Sequence, residues 1–393
     1  MKGRGGIAIA LAATVAAALA STAGAGSSAA AKTQAVSCKS TLKIALVTPL
    51  TGGGAFLGNE QLSWAKYAVK TLAPKYGLKI SLLRGDTPFE AGPAPAQTLA
   101  QKYVADKSVV AIIGPASSGA VASSSQVYRD AGLAHISPSA TRTSLTKGPA
   151  LESTTAFFRV VPGDYIQGPS DANFMIGKGA KNVVLFDFQE PYSQGLANAV
   201  ENVLDKKGVT TTRLSVSNTT TDFSSFVTKV PSSADFVFFP TQKPADAQNF
   251  AQQLIEQGKK AKMFGGDGSN DSSVFKVPGS YVSNFAPDIS GISYNKALIA
   301  GWQKDNPGTQ LGSFGPPTYL AVQVAFNAIK KACDAGKGQI KERADVVRNV
   351  KKIYVKNSIL GGDFRFSTKS NDPLNAKFYI FQIQSNGSYK LVG

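Results

Sequence analysis

The sequence predicts an α/β protein made of two doubly wound, parallel-sheet lobes. Three observations predict it. Short, continuous apolar runs alternate with amphipathic helical stretches, the order expected where helices cover both faces of a parallel sheet. That rhythm runs once from Leu42 to Pro138 and restarts at Asn182. The chain is also 393 residues long, more than one ordinary core accommodates and enough for two.

The N-terminus comes first. Lys2 and Arg4 open the chain, Ile7 to Ala20 is uncharged and apolar, and Ala23-Gly24-Ala25 has the small-x-small form of a cleavage site. The apolar run falls short of the roughly 20 residues that span a bilayer. Residues 1–25 therefore read as a secretory signal peptide, and residues 26–40, rich in Ser, Ala and Thr, as a flexible leader. The mature protein is expected outside the cytoplasm, in the periplasm or at the outer face of the envelope. No later stretch is apolar enough to cross a membrane, so a soluble monomer is expected.

Leu42 to Val47 is apolar throughout, as a buried parallel strand should be. After the turn Thr51-Gly52-Gly53-Gly54, the residues Leu62, Ala65, Val69 and Leu72 fall on one helix face. Lys79 to Leu83 reads as the second strand, and Ala96, Leu99 and Tyr103 mark a second helix. Val109 to Ile113 is a third strand ending at Gly114-Pro115. A helix from Gly119 to Ala131 leads to a fourth strand, Ala134 to Ile136. The segment Arg159 to Asp164, with Pro162 and Gly163, reads as a crossover. In the second unit, strands are expected at Asn182 to Phe186, Thr211 to Val216, Phe236 to Phe239 and Lys262 to Phe264. Leu196, Val200, Val203 and Leu204 mark one helix of this unit, Phe223 to Val230 a short one, and Phe250, Leu254 and Ile255 a third. Beyond Pro287, Ile292 to Asp305 and Tyr319 to Asp334 read as helices. Asp363 to Phe366 and Phe378 to Ile383 read as strands, and Asn386-Gly387 is a hairpin turn signal. These late elements are too few for a third core and are expected to complete the first two.

The formal net charge is +17, and removal of residues 1–25 takes two of those positive charges and no acid, leaving +15. The charge is spread out; its densest clusters are Lys259-Lys260 with Lys262, and Lys351-Lys352. A nucleic-acid partner would be signalled by a basic stripe or a recognition module, and neither is present, so the charge reads as a solvated surface, with attraction of an anionic ligand as the weaker reading. The cysteines are Cys38 and Cys333. In an exported chain an even count reads as one disulfide. A lipid-bearing Cys38 is another reading, against which Ala35-Val36-Ser37 lacks the usual leucine and lies far beyond the apolar run. Two free thiols are a further reading, ahead of the lipid-bearing one.

Ligands of open α/β sheets bind beyond the carboxyl ends of the strands, and three such ends are polar and tightly turned. Gly114-Pro115-Ala116-Ser117-Ser118-Gly119 precedes a helix, where free N–H groups and the hydroxyls of Ser117 and Ser118 suit a carboxylate. Ser137-Pro138-Ser139-Ala140-Thr141 follows the same logic. Gly265-Gly266-Asp267-Gly268 offers an acid for an ammonium. Each alone also reads as ordinary local structure, serine and threonine as helix caps and Asp-Gly as a turn. Together they make a clamp for a zwitterion. Catalytic readings are weaker. The glycines from Gly52 to Gly58 miss the dinucleotide spacing, since Leu57 stands at the third glycine's place. No phosphate-loop lysine motif or nucleophile elbow occurs. No cysteine–histidine cluster has metal-ligand spacing, and the single histidine, His135, lies inside an expected strand. No catalytic residue, cofactor or metal is therefore expected.

Residues 44–60, Ile113 to Gly119, Ser137 to Thr141, Asp187 to Gly195 and Phe264 to Gly268, in that order and spacing, resemble the branched-chain-amino-acid-binding family, periplasmic receptors of ATP-driven transporters with the type I binding-protein fold. The resemblance runs from about Leu42 to the end. It implies three crossovers, near Val161–Asp164, Pro287–Ile289 and Phe378–Tyr379, with residues 41–162 plus 288–378 forming lobe one and 163–287 plus 379–393 forming lobe two. It implies that Ser118 and Thr141 contact the ligand carboxylate with the backbone of Ser139 and Ala140, that Tyr192 is an aromatic wall, and that Asp267 takes the ammonium. The chain departs from the family in having Asp267 where members often have Glu, Leu57 in place of an aromatic, and Gln242 where another tyrosine can occur. The implied function is capture of a small polar molecule, an amino acid first, by lobe closure, for delivery to a membrane permease. A small organic acid or amide is the alternative ligand. The rival functions are a ligand-sensing receptor module, which needs a membrane signalling domain, and an exported enzyme, which needs a paired nucleophile and base.

Overall fold

The computed structural model describes residues 35–393; the signal peptide read at residues 1–25 and the first part of the leader lie outside the described residues. The described end of the leader departs from expectation. Val36–Ser37 forms a short strand, β1, and Cys38 is disulfide-bonded. The first parallel sheet follows. It contains β2 (Leu42–Thr48), then α1 (Ala55–Leu72), β3 (Ile80–Asp86), α2 (Ala94–Ala105), β4 (Val109–Ile113), α3 (Ser118–Asp130), β5 (Ala134–Ser137) and β6 (Phe157–Arg159). The strand order is β3-β2-β4-β5-β6, all parallel. β6 was not expected, and its last residue, Arg159, was the start of the expected crossover; three residues are too few to carry a periodic signal.

The chain then passes to a second sheet through α4 (Asp164–Gly177), a helix not expected from the sequence, which begins where the expected crossover ends. There follow β7 (Asn182–Asp187), α5 (Pro191–Lys206), β8 (Thr210–Ser215), α6 (Ser224–Thr228), β9 (Phe236–Phe239), α7 (Pro244–Glu256), β10 (Lys262–Gly265) and β11 (Tyr281–Asn284). On α7, Phe250 and Leu254 are buried as expected, but Ile255 faces solvent with 62% of its surface exposed. One residue past Leu254 turns about 100° away from the buried stripe.

The remaining elements divide between the two sheets. α8 (Lys296–Asp305), α9 (Gly315–Ala335), β12 (Gln339–Ile340), α10 (Arg343–Val350), β13 (Tyr354–Val355) and β14 (Phe364–Arg365) pack into the core under the first sheet, where Trp64 stacks on Trp302 at 4.7 Å. α8 begins at Lys296, after two short 3-10 turns, later than the expected Ile292. β15 (Tyr379–Ile383) and β16 (Tyr389–Leu391) form the hairpin marked by Asn386-Gly387 and join the second sheet, whose order is β16-β15-β11-β10-β9-β7-β8. The fold is thus α/β with two doubly wound lobes. The three passages between sheets meet in one apolar cluster, where Val161, Phe285, Ala286 and Phe378 pack with Leu57, Ala116 and Phe314. Among the described residues no helix is long and apolar enough to cross a membrane.

β1 pairs antiparallel with β12, and the Cys38–Cys333 disulfide pins it to the end of α9, with Cα atoms 6.0 Å apart across 295 residues of sequence. A crosslink enclosing so long a loop restricts the unfolded chain strongly. Replacing both cysteines with serine is expected to lower unfolding free energy toward the upper end of the roughly 0–5 kcal/mol range. Equilibrium denaturation of the oxidised protein and the double variant measures this. An unchanged midpoint, or thiols that alkylate in the unfolded protein without reductant, would contradict it.

Candidate functional site

The carboxyl ends of the two sheets face each other, and the residues singled out in the sequence sit on both sides. On the first lobe, Ser117 is the N-cap of α3, its hydroxyl accepting from Ala120 N at 3.2 Å. Its hydroxyl oxygen is thus committed as a cap. Ser118 is buried, and its Oγ accepts from Arg142 N at 3.2 Å, which leaves its proton to donate. The N–H groups of Ser118 and Gly119, in the first turn of α3, have no partner within the helix. Thr141 is buried, and its Oγ1 makes no hydrogen bond.

The expected backbone contacts of Ser139 and Ala140 need correction. Ala140 N donates to Ser137 Oγ at 2.9 Å, and Ser139 N reaches the same oxygen at 3.3 Å. The Ser139 hydroxyl donates to Ala116 O at 2.8 Å and accepts from Gln61 Nε2 at 3.0 Å. These groups shape the loop and are not free donors. The loop is held from beneath by Arg159, fully buried, which donates to the carbonyls of Thr141 (2.7 Å) and Arg142 (2.9 Å) and pairs with Asp372 at 2.6 Å.

On the second lobe, Tyr192 donates its hydroxyl to Asp267 Oδ1 at 2.8 Å and accepts from Gly268 N at 3.1 Å. Both side chains are buried. The glycines around Asp267 serve this packing. A Cβ on Gly266 would stand 2.4 Å from the Tyr192 hydroxyl, and one on Gly268 would stand 2.8 Å from Thr241 O. Glu190 caps α5, its carboxylate accepting from Tyr192 N and Ser193 N at 2.9 and 2.7 Å.

Asp164, which sequence reasoning missed, lies between the two lobes' contributions. It is the first residue of α4, is fully buried, and neither carboxylate oxygen has a partner. Its N–H donates to Thr141 O at 2.8 Å. Burial, and then the Asp267 carboxylate, push its carboxyl up to about 8 against the nearby Thr141 hydroxyl. Burial pushes Asp267 up to about 6, with the Tyr192 hydroxyl opposing. One turn and more along α4, Gln167 donates to Ser283 Oγ at 2.9 Å, and Ser283 donates to Asp171 Oδ2 at 3.0 Å. Asp171 is likewise raised by burial, and its Oδ1 has no partner. The signal was available: Asp164, Gln167 and Asp171 stand at i, i+3 and i+7, a polar stripe on a helix's buried face. The expected crossover ends at Asp164, and the residues from there to Asn182 are assigned no element in the sequence reading.

A cavity of about 480 Å³ lies between the lobes at the edge marked by β3 and β8, lined by Ser117, Glu190 and Gln242 among others. Leu57 is not on its wall but in the apolar cluster at the crossovers. His135 is buried between Tyr128 and Phe157, with Nε2 at 2.6 Å from Ser125 Oγ, and burial lowers it to about 3. It is a core histidine. Among the described residues no three or more histidine, cysteine or acidic side chains cluster as metal ligands would.

A sequence model of the family described as periplasmic binding protein matches residues 41–388. The leucine-, isoleucine-, valine-, threonine- and alanine-binding protein of Pseudomonas aeruginosa is 26% identical over 310 residues, 77% of this chain and 81% of that protein. A Leu/Ile/Val-binding protein homolog of Brucella abortus is 27% identical over 355 residues, 88% of this chain and 91% of that protein. The fold is similar to that of a leucine-binding protein from Thermotoga maritima, with a TM-score of 0.79 at 21% identity over 90% of this chain and 98% of that one. It is also similar to that of an ABC-transporter solute-binding protein from R. palustris in complex with benzoate, with a TM-score of 0.77 at 18% identity over 90% of this chain and 96% of that one.

The buried acids would make any opening of the lobes sensitive to pH. In this structure Asp164 and Asp267 are raised from 3.8 to about 8 and about 6, so this form binds more protons than one in which water reaches them. Its share is therefore largest at low pH and falls as pH rises through that window. The radius of gyration of the ligand-free protein, measured by small-angle scattering, is expected to grow between about pH 5 and pH 8. The double variant Asp164→Asn/Asp267→Asn should flatten that change. A radius independent of pH in the unmodified protein would contradict the assignment.

Proposed function

This chain belongs to the periplasmic binding protein family, and on that premise we propose that it captures an amino acid between its lobes outside the cytoplasmic membrane and presents the closed form to a membrane permease. The observation that carries the ligand class is Asp164, a buried carboxylate without a hydrogen-bond partner, beside Asp267. Raised to about 8, Asp164 is protonated at neutral pH in this structure, and a cation beside it would restore the charged form and offset the cost of its burial. A ligand ammonium supplies that cation. Across the cleft, the Ser118 and Thr141 hydroxyls and the first turn of α3 supply donors for a carboxylate. One lobe offers donors, the other offers acid, and Asp164 stands at the passage between them.

The alternative of a simple organic acid has a benzoate-bound structural neighbour in its favour. Against it, such a ligand brings a negative charge and no cation to a site with two buried acids. The apolar cluster at the three crossovers is suited to a hinge, since a few residues at element ends absorb such a motion. Tyr192 acts by orienting Asp267, and Gln242 reaches the cavity beyond it.

The test is a cycle of two proteins and two ligands. Asp267→Asn, nearly isosteric and in a loop, is expected to weaken an amino-acid ligand at least tenfold, about 1.4 kcal/mol. This is a conservative share of the about 2–5 kcal/mol typical for removing one partner of a desolvated charge pair. The deaminated analogue should bind both proteins with similar affinity. Calorimetry decides, and equal losses for amine-bearing and amine-free ligands would leave Asp267 a loop-shaping residue only.

A further inference from the structure

The cavity at the cleft's edge is larger than a branched-chain side chain needs, and its walls say what belongs there. Its volume is about 480 Å³. At about 30 Å³ per heavy atom, the share of a water molecule in the liquid, the four carbons of a leucine side chain need about 120 Å³ and the seven of a benzyl group about 210 Å³. The walls are mostly apolar, with Phe89 and Pro93 from the first lobe and Phe188 and Pro191 from the second. The charged groups at its rim are already engaged. Lys243 pairs with Asp246 at 2.8 Å and donates to Asn218 O at 2.7 Å. Glu90 accepts from Gly53 N at 3.1 Å, and Glu190 caps α5. The one basic group on the wall, Lys243, is thus paired, and the acids at the rim are bonded to backbone N–H groups.

The cavity adjoins the candidate clamp. Its wall includes Ser117 and Gly119, on either side of Ser118, and Gln242, whose Cα would be 3.0 Å from a Cβ on Gly268, next to Asp267. Ser118, Thr141, Asp164 and Asp267 are not themselves on its wall, so a ligand held by the clamp would enter this space by a side chain that passes Ser117 and Gln242.

We infer that the ligand is an α-amino acid with an uncharged apolar side chain of aromatic size, larger than that of leucine, whose outer part occupies the cavity between Phe89 and Phe188. This rests on the reading of Asp164 and Asp267 as the ammonium site, and the experiment separates the two. Calorimetry with L-leucine, L-phenylalanine and 3-phenylpropanoate is expected to rank L-phenylalanine at least tenfold tighter than L-leucine. Ser123→Phe, which fills the cavity from α3, should weaken L-phenylalanine at least tenfold and leave L-leucine within about twofold. Ala122→Leu repeats the test from a neighbouring position should the first variant fold poorly, as judged by its melting temperature. L-Leucine binding as tightly as L-phenylalanine, or a folded cavity-filling variant weakening both alike, overturns the proposal. If 3-phenylpropanoate matches L-phenylalanine while Ser123→Phe weakens both, the ammonium reading falls and the cavity assignment stands. Absence of binding by all three to the folded protein overturns both.

Discussion

The geometry of the cleft depends on one buried guanidinium. Arg159 ends β6 at the point where the chain leaves the first sheet, and it is wholly removed from solvent. Its Nε pairs with Asp372, which arrives on the segment returning from the late helices. Its other nitrogens hold the carbonyls of residues 140–142 and the hydroxyl of Thr146. Burial raises the Asp372 carboxyl, but the guanidinium and neighbouring hydroxyls more than offset this and lower it on balance. A buried pair of this kind contributes little net stability against an apolar alternative, and breaking it costs about 3–5 kcal/mol. Its role here is geometric. It fixes the loop that carries Thr141, and through Thr141 O it fixes the start of α4, where Asp164 stands.

From that loop the two lobes are drawn together. Arg142 donates to Pro191 O on the opposite lobe and pairs with Glu152 at 2.7 Å on its own. Gly195, on α5, allows this approach: a Cβ there would meet Arg142 Cγ at 3.1 Å and lie 3.6 Å from Asp164 Oδ2. Arg142 and the Asp164 carboxylate thus both lie against Gly195 of α5.

Both sheets were legible in the sequence because continuous apolar runs such as Val109–Ile113 and Phe236–Phe239 have one structural solution, a buried parallel strand. Their bounds match the observed strands. What escaped were elements whose information lies in distant partners. β11 is a four-residue strand, Tyr-Val-Ser-Asn, that becomes central only because β10 and β15 flank it. β1 exists because β12 and a disulfide hold it. Within the site, the turns at Ser117–Ser118, Ser137–Thr141 and Gly265–Gly268 were readable as strand ends. The sequence could not say that Ser137 had already taken the N–H groups of Ser139 and Ala140, since that depends on a side-chain rotamer within a folded loop. Nor could it separate Asp164 from an ordinary first-turn acid, which helix N-termini favour anyway. Only burial distinguishes the two.

That burial also explains how one ligand could drive closure. A ligand shifts a conformational equilibrium only by its differential affinity for the two forms. Hydroxyl and amide donors on the first lobe are available to a carboxylate in either form and by themselves do little to favour closing. The acids behave differently. An opening that let water reach Asp164 and Asp267 would leave them solvated and in no need of a partner. In this structure both are buried, and Asp164 is without one. An ammonium is therefore worth more in the closed form than in the open one, by the amount that burying the acids would otherwise cost. A carboxylate without an amine occupies the same donors and gains none of this difference. On the proposed function, discrimination between a bound and an unbound receptor would follow from Asp164, the buried acid without a partner, beside an Asp267 held by Tyr192.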